Sequence, residues 1–221
     1  MKIDNIQTGD ILLSHTPYSF SLIPNEIIGS FIVHKIEKLT KSPFSHCGVI
    51  EKFGNELYIC EAVSQGLREN KFIPNYLSQN KLKKIIILRF YKPGGVEFND
   101  SDKRIIKNIC HREMNKQTKY DKKLLILLGL ALTLFKFKTY QECLSYFKSK
   151  RDSWWICSEY SQMILRNFNI KVTENNCLSV PNDFLLVDNY KIVYTNIIGD
   201  LKFAKKYPMT YCLINQKLKI I

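Results

Sequence analysis

The sequence predicts an α+β fold in which an antiparallel sheet or small barrel packs against a helix that begins at Cys157. Three observations carry this expectation. Two alternating segments flank a Gly54-Asn55 pair, apolar runs bounded by turn residues recur near 9–13 and 84–90, and apolar residues after Cys157 recur at helical spacing.

Taken in order, Gly9-Asp10-Ile11-Leu12-Leu13 forms an opening strand. Residues 24–39 then read as a helical excursion, with Ile27, Ile28, Phe31, Ile32 and Ile36 near one face. The chain returns in a strand from Phe44 to Phe53, and a second strand runs from Glu56 to Val63. Gly54-Asn55 between them suits a two-residue hairpin turn that needs positive φ. With Phe53 facing Glu56, Gly48 falls opposite Glu61 and His46 opposite Val63. Because side chains alternate, these four share a face, and His46 and Glu61 become diagonal neighbours about 7–8 Å apart at the backbone. Gly48 leaves room beside them. Cys47 and Cys60 fall diagonally on the other face and read as core.

Further along, Lys84-Ile85-Ile86-Ile87-Leu88-Arg89-Phe90 is a strand ended by Pro93-Gly94-Gly95, and Asp100 or Ser101 caps a helix reaching about Lys116. Residues 135–150 are basic, aromatic and helical in pattern. Ile156, Tyr160, Met163 and Ile164 define the buried face of the Cys157 helix, with Asp152 or Ser153 as its cap. Short strands are expected at 190–194 and 211–214.

The 221 residues make one domain, since no Pro/Gly/Ser linker divides them, with a hydrophobic helical elaboration at about 120–150. Within it, Leu124 to Phe135 is apolar on all sides and bracketed by Lys122, Lys123, Lys136 and Lys138. It is too short to span a bilayer, which takes about 20 residues. It fits a buried core helix, with placement in a membrane interface as the alternative.

A formal net charge of +13 favours anionic surfaces, including peripheral contact with an anionic membrane. The lysines are spread over many segments and accompany no helix-turn-helix, zinc finger or RNA-binding signature, so no specific nucleic-acid binding is expected. Met1-Lys2-Ile3-Asp4-Asn5 leads almost directly into a strand without an apolar signal region, and a cytoplasmic or membrane-peripheral location is expected. Seven cysteines are an odd number and make no disulfide framework. There is no CxxC or HxxxH, and His15, His34 and His111 are scattered, so neither metal nor cofactor is expected.

Cys157 opens its helix in Trp154-Trp155-Ile156-Cys157-Ser158-Glu159-Tyr160. Unpaired N–H groups and the dipole at a helix N-terminus stabilise a thiolate, and the same N–H groups suit the oxyanion of a tetrahedral intermediate. The alternative is a small buried hydrophobe. His46 supplies a base and Glu61 a carboxylate to orient it.

The order of these groups resembles the circularly permuted papain-like hydrolases of the NlpC-type superfamily, particularly the YiiX/YaeF-like amidases. The resemblance rests on Gly9-Asp10-Ile11-Leu12-Leu13, Ser45-His46-Cys47-Gly48-Val49-Ile50, Glu61-Ala62-Val63 with Gly66, and Cys157-Ser158-Glu159, with weaker echoes in Tyr120-Asp121 and Pro181-Asn182-Asp183-Phe184. It implies a Cys157 nucleophile, a His46 general base and acid, and a Glu61 orienting group, acting on an amide or peptide through a thioester. Tyr120 becomes a candidate for binding the oxyanion or substrate, beside its simpler role as a core tyrosine. Lecithin retinol acyltransferase-like proteins share the permuted order, which keeps acyl-lipid chemistry as an alternative. A non-catalytic papain-like binding module is the other, although binding alone would not require Cys157.

Overall fold

The computed structural model of the chain describes residues 3–15, 37–38, 42–78, 84–121, 123, 127, 130, 154–173 and 179–219. The strands are β1 (Ile11–His15), β2 (His46–Phe53), β3 (Glu56–Val63), β4 (Gly66–Lys71), β5 (Lys84–Phe90), the two-residue β6 (Lys119–Tyr120) and β7 (Trp154–Trp155), and β8 (Tyr190–Thr195). Six of them form one open antiparallel sheet in the order β4-β3-β2-β1-β5-β8, while β6 and β7 pair in parallel on their own. The α+β expectation holds, and the sheet does not close into a barrel.

The β2–β3 hairpin has the expected register, running from Phe53↔Glu56 to Val49↔Cys60, with Gly54 at φ 57° in the turn. Alternation then sorts the side chains to two apolar layers. Ile11, Leu13, Cys47, Val49, Cys60, Ala62, Ile86 and Leu88 face a layer that includes Ile106, Ile109, Cys110, Tyr160, Ile164 and Leu165. Leu12, Ile50, Leu57, Ile59, Ile85 and Ile87 meet Ile6, Phe72 and Tyr76 on the other side. Both faces of the central strands are therefore buried.

Helix α1 (Asp100–Asn115) begins one residue earlier than the expected caps. Asn99 is the cap: its side chain accepts from the Asp102 N–H at 2.9 Å, and the Asp102 carboxylate accepts from the Asn99 N–H at 2.9 Å. This reciprocal pair satisfies two otherwise orphaned donors, which neither Asp100 nor Ser101 alone would do. Helix α2 (Cys157–Arg166) starts at its expected residue, but Ile156 occupies the cap position rather than Asp152 or Ser153. Pairing of Trp154–Trp155 with Lys119–Tyr120 keeps the chain extended up to Ile156, so the helix begins only after it.

The expected strand at 190–194 is present as part of β8. The one at 211–214 is not: those residues lie in α4 (Pro208–Lys219), which follows α3 (Leu201–Lys206). Thr210 and Ile214 are buried one turn apart, so a helical stripe facing the core overrides the local β-preference of Tyr211-Cys212-Leu213-Ile214. Strand β4 was not anticipated because Gly66–Lys71 is largely polar. The helical expectations for 24–39 and 135–150 fall outside the described residues apart from Glu37 and Lys38, which are helical. In the 124–135 segment the described positions Leu127 and Leu130 are helical and exposed, not buried. Among the described residues no helix is long and apolar enough to cross a membrane.

Asp10, in the opening motif, has a structural task. Its buried carboxylate accepts from Arg89 Nε at 2.8 Å and Nη2 at 2.9 Å, and from the Gln7 N–H at 2.8 Å. This ties β5 to the entrance of β1.

Candidate active site

Cys157 is the first residue of α2, and the first backbone bond of that helix runs from the Tyr160 N–H to the Ile156 carbonyl at 3.1 Å. The N–H groups of Cys157 and Ser158 precede that first turn and have no intrahelical acceptor. The Glu159 carboxylate folds back to accept the Ile156 N–H at 3.3 Å, which holds the chain where it bends into the helix. Ser158 Oγ donates to the Ser179 carbonyl at 2.5 Å and Ser161 Oγ to the Cys157 carbonyl at 3.1 Å. The nucleophile candidate thus sits on a helix start braced from both sides.

His46 is the first residue of β2, paired to Ser14 of β1, and its side chain is 21% exposed. Its Nε2 donates to Glu61 Oε2 over 2.7 Å. Glu61 is almost fully buried and saturated: Oε1 accepts from Arg68 Nε at 3.1 Å, Arg68 Nη2 at 3.0 Å and Asn70 Nδ2 at 3.0 Å, and Oε2 also accepts from the Tyr76 hydroxyl. Arg68 stands directly across the ladder from Glu61. Sequence reasoning missed Arg68 and Asn70 because it missed β4, and Tyr76 because it lies in the helical turn Ile73–Ser78 that follows that strand. The one available signal was the Gly66 turn, which permits a third antiparallel strand.

Gly48 does not open a space for this pair. A Cβ there would lie 2.8 Å from two Ile59 side-chain carbons and 3.0 Å from the Cys60 carbonyl oxygen, so the glycine is required by close approach of β3.

Alternation places His46 and Glu61 on the sheet face opposite α2, yet His46 reaches the Cys157 sulfur. The end of the hairpin ladder explains how. Pairing of β2 with β3 stops at Val49↔Cys60, while β2 stays paired with β1 to His46 and β3 with β4 to Val63. The thiol approaches from the helix side at this end of the sheet, beside the side chain and backbone of Cys47.

These contacts polarise the group. Hydrogen bonding from Cys47 holds the Cys157 thiol well below its ordinary range; burial opposes this, and His46 reinforces it. Burial disfavours charge on His46, but the Cys157 sulfur and the Glu61 carboxylate outweigh it and push the imidazole up to about 10. Burial likewise works against ionised Glu61, and His46, Tyr76 and Arg68 bring it down to about 2. Cys47 moves the other way, raised by burial and by the neighbouring Cys157. These opposed shifts favour a thiolate–imidazolium pair backed by a carboxylate. With Nε2 committed to Glu61, Nδ1 is the ring nitrogen left for the sulfur.

Tyr120 lies beside this group. It packs on the same core layer as Cys157, and burial followed by the Cys157 and Cys47 sulfurs raises its hydroxyl. Its place depends on Gly66, whose φ is 117° and where a Cβ would stand 2.8 Å from the Thr118 carbonyl oxygen. The Leu67 N–H donates to that same oxygen at 3.2 Å, docking the β6 segment on β4.

Of the other histidines, His15 pairs with Glu37 at 3.1 Å, and His34 lies outside the described residues. His111 does not stand alone as expected: it lies 3.4 Å from Glu51, in a group that also draws in Cys60, Cys110 and Glu69. The sequence expectation of no metal-ligand set overlooked this group because α1 brings Cys110 and His111 to the hairpin from a distant part of the chain. A cavity of about 310 Å³ lined by Lys52, Lys103, Arg104 and Lys107, among others, gathers cations against α1 and touches none of the residues around Cys157.

No family model matches the sequence, and no curated protein matches it. Among solved structures, the chain is similar to one described as the metalloprotein YiiX from Escherichia coli O157:H7. The two share 17% identity with a TM-score of 0.49, over 92% of this chain and 83% of the other.

Proposed function

We propose that the protein is a cysteine-dependent hydrolase that cleaves an amide or peptide bond through a thioester acyl-enzyme. The observation that carries this is His46, whose ring bridges the Cys157 sulfur on one side and the Glu61 carboxylate on the other.

In the reaction the Cys157 thiolate attacks the carbonyl carbon, forming a C–S bond and an oxyanion. The free N–H groups at the start of α2 face that charge, with the Tyr120 hydroxyl as an added donor. The His46 imidazolium gives its Nδ1 proton to the leaving nitrogen as the C–N bond breaks. Water then attacks the thioester while His46 takes its proton, the C–S bond breaks, and the acid leaves with the thiolate restored. Glu61 keeps Nε2 protonated and stabilises the imidazolium throughout.

A second reading, hydrolysis or transfer of a lipid acyl chain at an anionic membrane surface, is favoured by exposed Leu127 and Leu130 within a lysine-bracketed apolar segment. Both readings use the same three groups. A binding module would leave a polarised thiol without a task.

The test is trace iodoacetamide labelling across pH 5 to 9, with the modified cysteine located by mass spectrometry in the wild type and in His46→Ala. Selective labelling of Cys157 at the acid end, lost in the variant, is expected. Uniform slow labelling of all accessible cysteines would overturn the hydrolase reading.

A further inference from the structure

A second cluster of chemically capable side chains lies on the α2-facing side of the sheet and takes no part in the reaction above. Glu51 of β2, Cys60 of β3 and Cys110 of α1 each offer a ligand atom, and these atoms all lie within 4.8 Å of one another; Glu51, Glu69 of β4 and His111 of α1 form an overlapping triad by the same measure. The topology produces the convergence. Cys60 faces Val49 on one side and Glu69 on the other, Glu51 sits two residues beyond Val49 on the same face, and Cys110 and His111 are consecutive on the helix above.

Glu51 is the unusual member. It is fully buried, its Oε1 accepts from Cys60 Sγ at 2.9 Å, and its Oε2 is sealed from solvent without a hydrogen bond, with His111 Nε2 at 3.4 Å. The Glu69 Oε1 is also buried and unbonded. A buried carboxylate oxygen without a hydrogen bond is costly, the 3.4 Å ion pair with half-exposed His111 offsets this only in part, and two carboxylates and two buried thiols crowd together here. A cation would give the unbonded oxygens of this group and its two sulfurs a common partner.

We propose that Glu51, Cys60 and Cys110 bind a divalent transition-metal ion of borderline softness, with Zn²⁺ the best match, His111 turning in from the other Glu51 oxygen as the fourth ligand and Glu69 at the rim. Two sulfurs, one imidazole and one carboxylate are a tetrahedral zinc set, and zinc bonds of about 2.0–2.3 Å place such ligands roughly 3.4–3.8 Å apart. The 2.9 Å contact between Cys60 Sγ and Glu51 Oε1 opens slightly once its proton leaves, and His111, 3.4 Å from Glu51 Oε2, rotates at its half-exposed position to reach the ion. Binding releases the two thiol protons to solvent and leaves the divalent charge facing two thiolates and one carboxylate. The role is structural: the ion fastens α1 to the hairpin that carries Glu61, beside the buried Tyr160 of the first turn of α2, whose hydroxyl lies against Cys110.

The experiment is titration of the metal-stripped, reduced full-length protein with CoCl₂, followed by displacement with ZnCl₂, in the wild type and in Cys157→Ser, Cys110→Ser and His111→Ala. One cobalt per chain is expected, with a sulfur-to-cobalt charge-transfer band and the intense visible absorption of a tetrahedral site, both bleached by zinc. Cys157→Ser keeps these signals. Cys110→Ser loses the tetrahedral thiolate spectrum, and His111→Ala, at a half-exposed position that does not threaten folding, weakens cobalt binding by on the order of 10–100-fold. A folded wild type without the sulfur-to-cobalt band, a band that disappears with Cys157 instead of Cys110, or unchanged affinity in His111→Ala each overturns this ligand set.

Discussion

His46 Nε2 donates to Glu61 Oε2 over 2.7 Å, and this bond decides which ring nitrogen faces Cys157. In Glu61→Gln the amide oxygen is drawn to Arg68 and Asn70, both donors, which turns the amide NH₂ toward His46. Nε2 must then accept, the proton moves to Nδ1, and a neutral imidazole of the wrong tautomer meets the thiol. Turnover should fall on the order of 10²–10⁴-fold with KM little changed and the fold intact. Steady-state kinetics of the variant at neutral pH checks this, and an unchanged kcat would remove Glu61 from its orienting role.

The same contacts make stability depend on pH at both ends. Glu61 has a folded pKa of about 2, below its ordinary 4.5, so its contribution is complete above 4.5 and is lost as pH falls toward 2. His46 is raised from 6.5 to about 10, so its contribution is complete below 6.5 and is lost as pH rises through 10. Cys157 is depressed below its ordinary 9.0 by the same contact, so its contribution is complete above 9.0 and is lost as pH falls, which offsets the His46 loss between 6.5 and 9.0. Denaturant midpoints should therefore peak between roughly pH 6.5 and 9 and decline on either side. Glu61→Gln should flatten the acid limb. A wild-type acid limb that persists unchanged in the variant would assign it to other carboxylates.

Much of this site was legible because it depends on local geometry. Gly54-Asn55 fixes a two-residue turn, the turn fixes the register, and the register makes His46 and Glu61 neighbours. Cys157 was legible because the apolar spacing after it is helical. What escaped depends on contacts between distant segments. Polar Gly66–Lys71 becomes a strand only because Glu61 and the β3 edge receive it, and Arg68 and Asn70 came into view with it. Gly48 was read as space because a sequence does not show the Ile59 side chain folding over it. Cys60 was read as core and Cys110 was not placed, because only the crossing of α1 over the hairpin brings them together. At 211–214, local preference lost to a buried stripe carried by Thr210 and Ile214.

Asp10 and Arg89 form an ion pair in which both side chains are nearly buried, at 2% and 8% exposure. Asp10→Ala strands the guanidinium, which keeps only its bond to the Asn5 carbonyl from this set. Removing one partner of such a pair costs about 3–5 kcal/mol. Urea denaturation should show a loss of that order, while kcat per folded molecule stays near wild type because neither residue touches the Cys157 group. A loss below about 1 kcal/mol would mean that water enters and replaces the carboxylate.

Gly66 links stability to the active site through Tyr120. Its φ of 117° is strained for any residue with a side chain, and a Cβ would collide with the Thr118 carbonyl oxygen at 2.8 Å. Gly66→Ala should cost about 1–3 kcal/mol and push the β6 segment off β4, carrying Tyr120 away from Cys157. Gly54→Ala is the control: its φ of 57° carries a smaller backbone penalty of the left-handed region, and a Cβ there meets nothing within 4 Å. If Tyr120 donates to the oxyanion, Gly66→Ala should lower kcat on the order of 10²–10³-fold, matching Tyr120→Phe, while Gly54→Ala only lowers the unfolding midpoint. Equal kcat in the two glycine variants, measured well below their unfolding midpoints, would leave Tyr120 as a core residue and return the oxyanion to the α2 N–H groups alone.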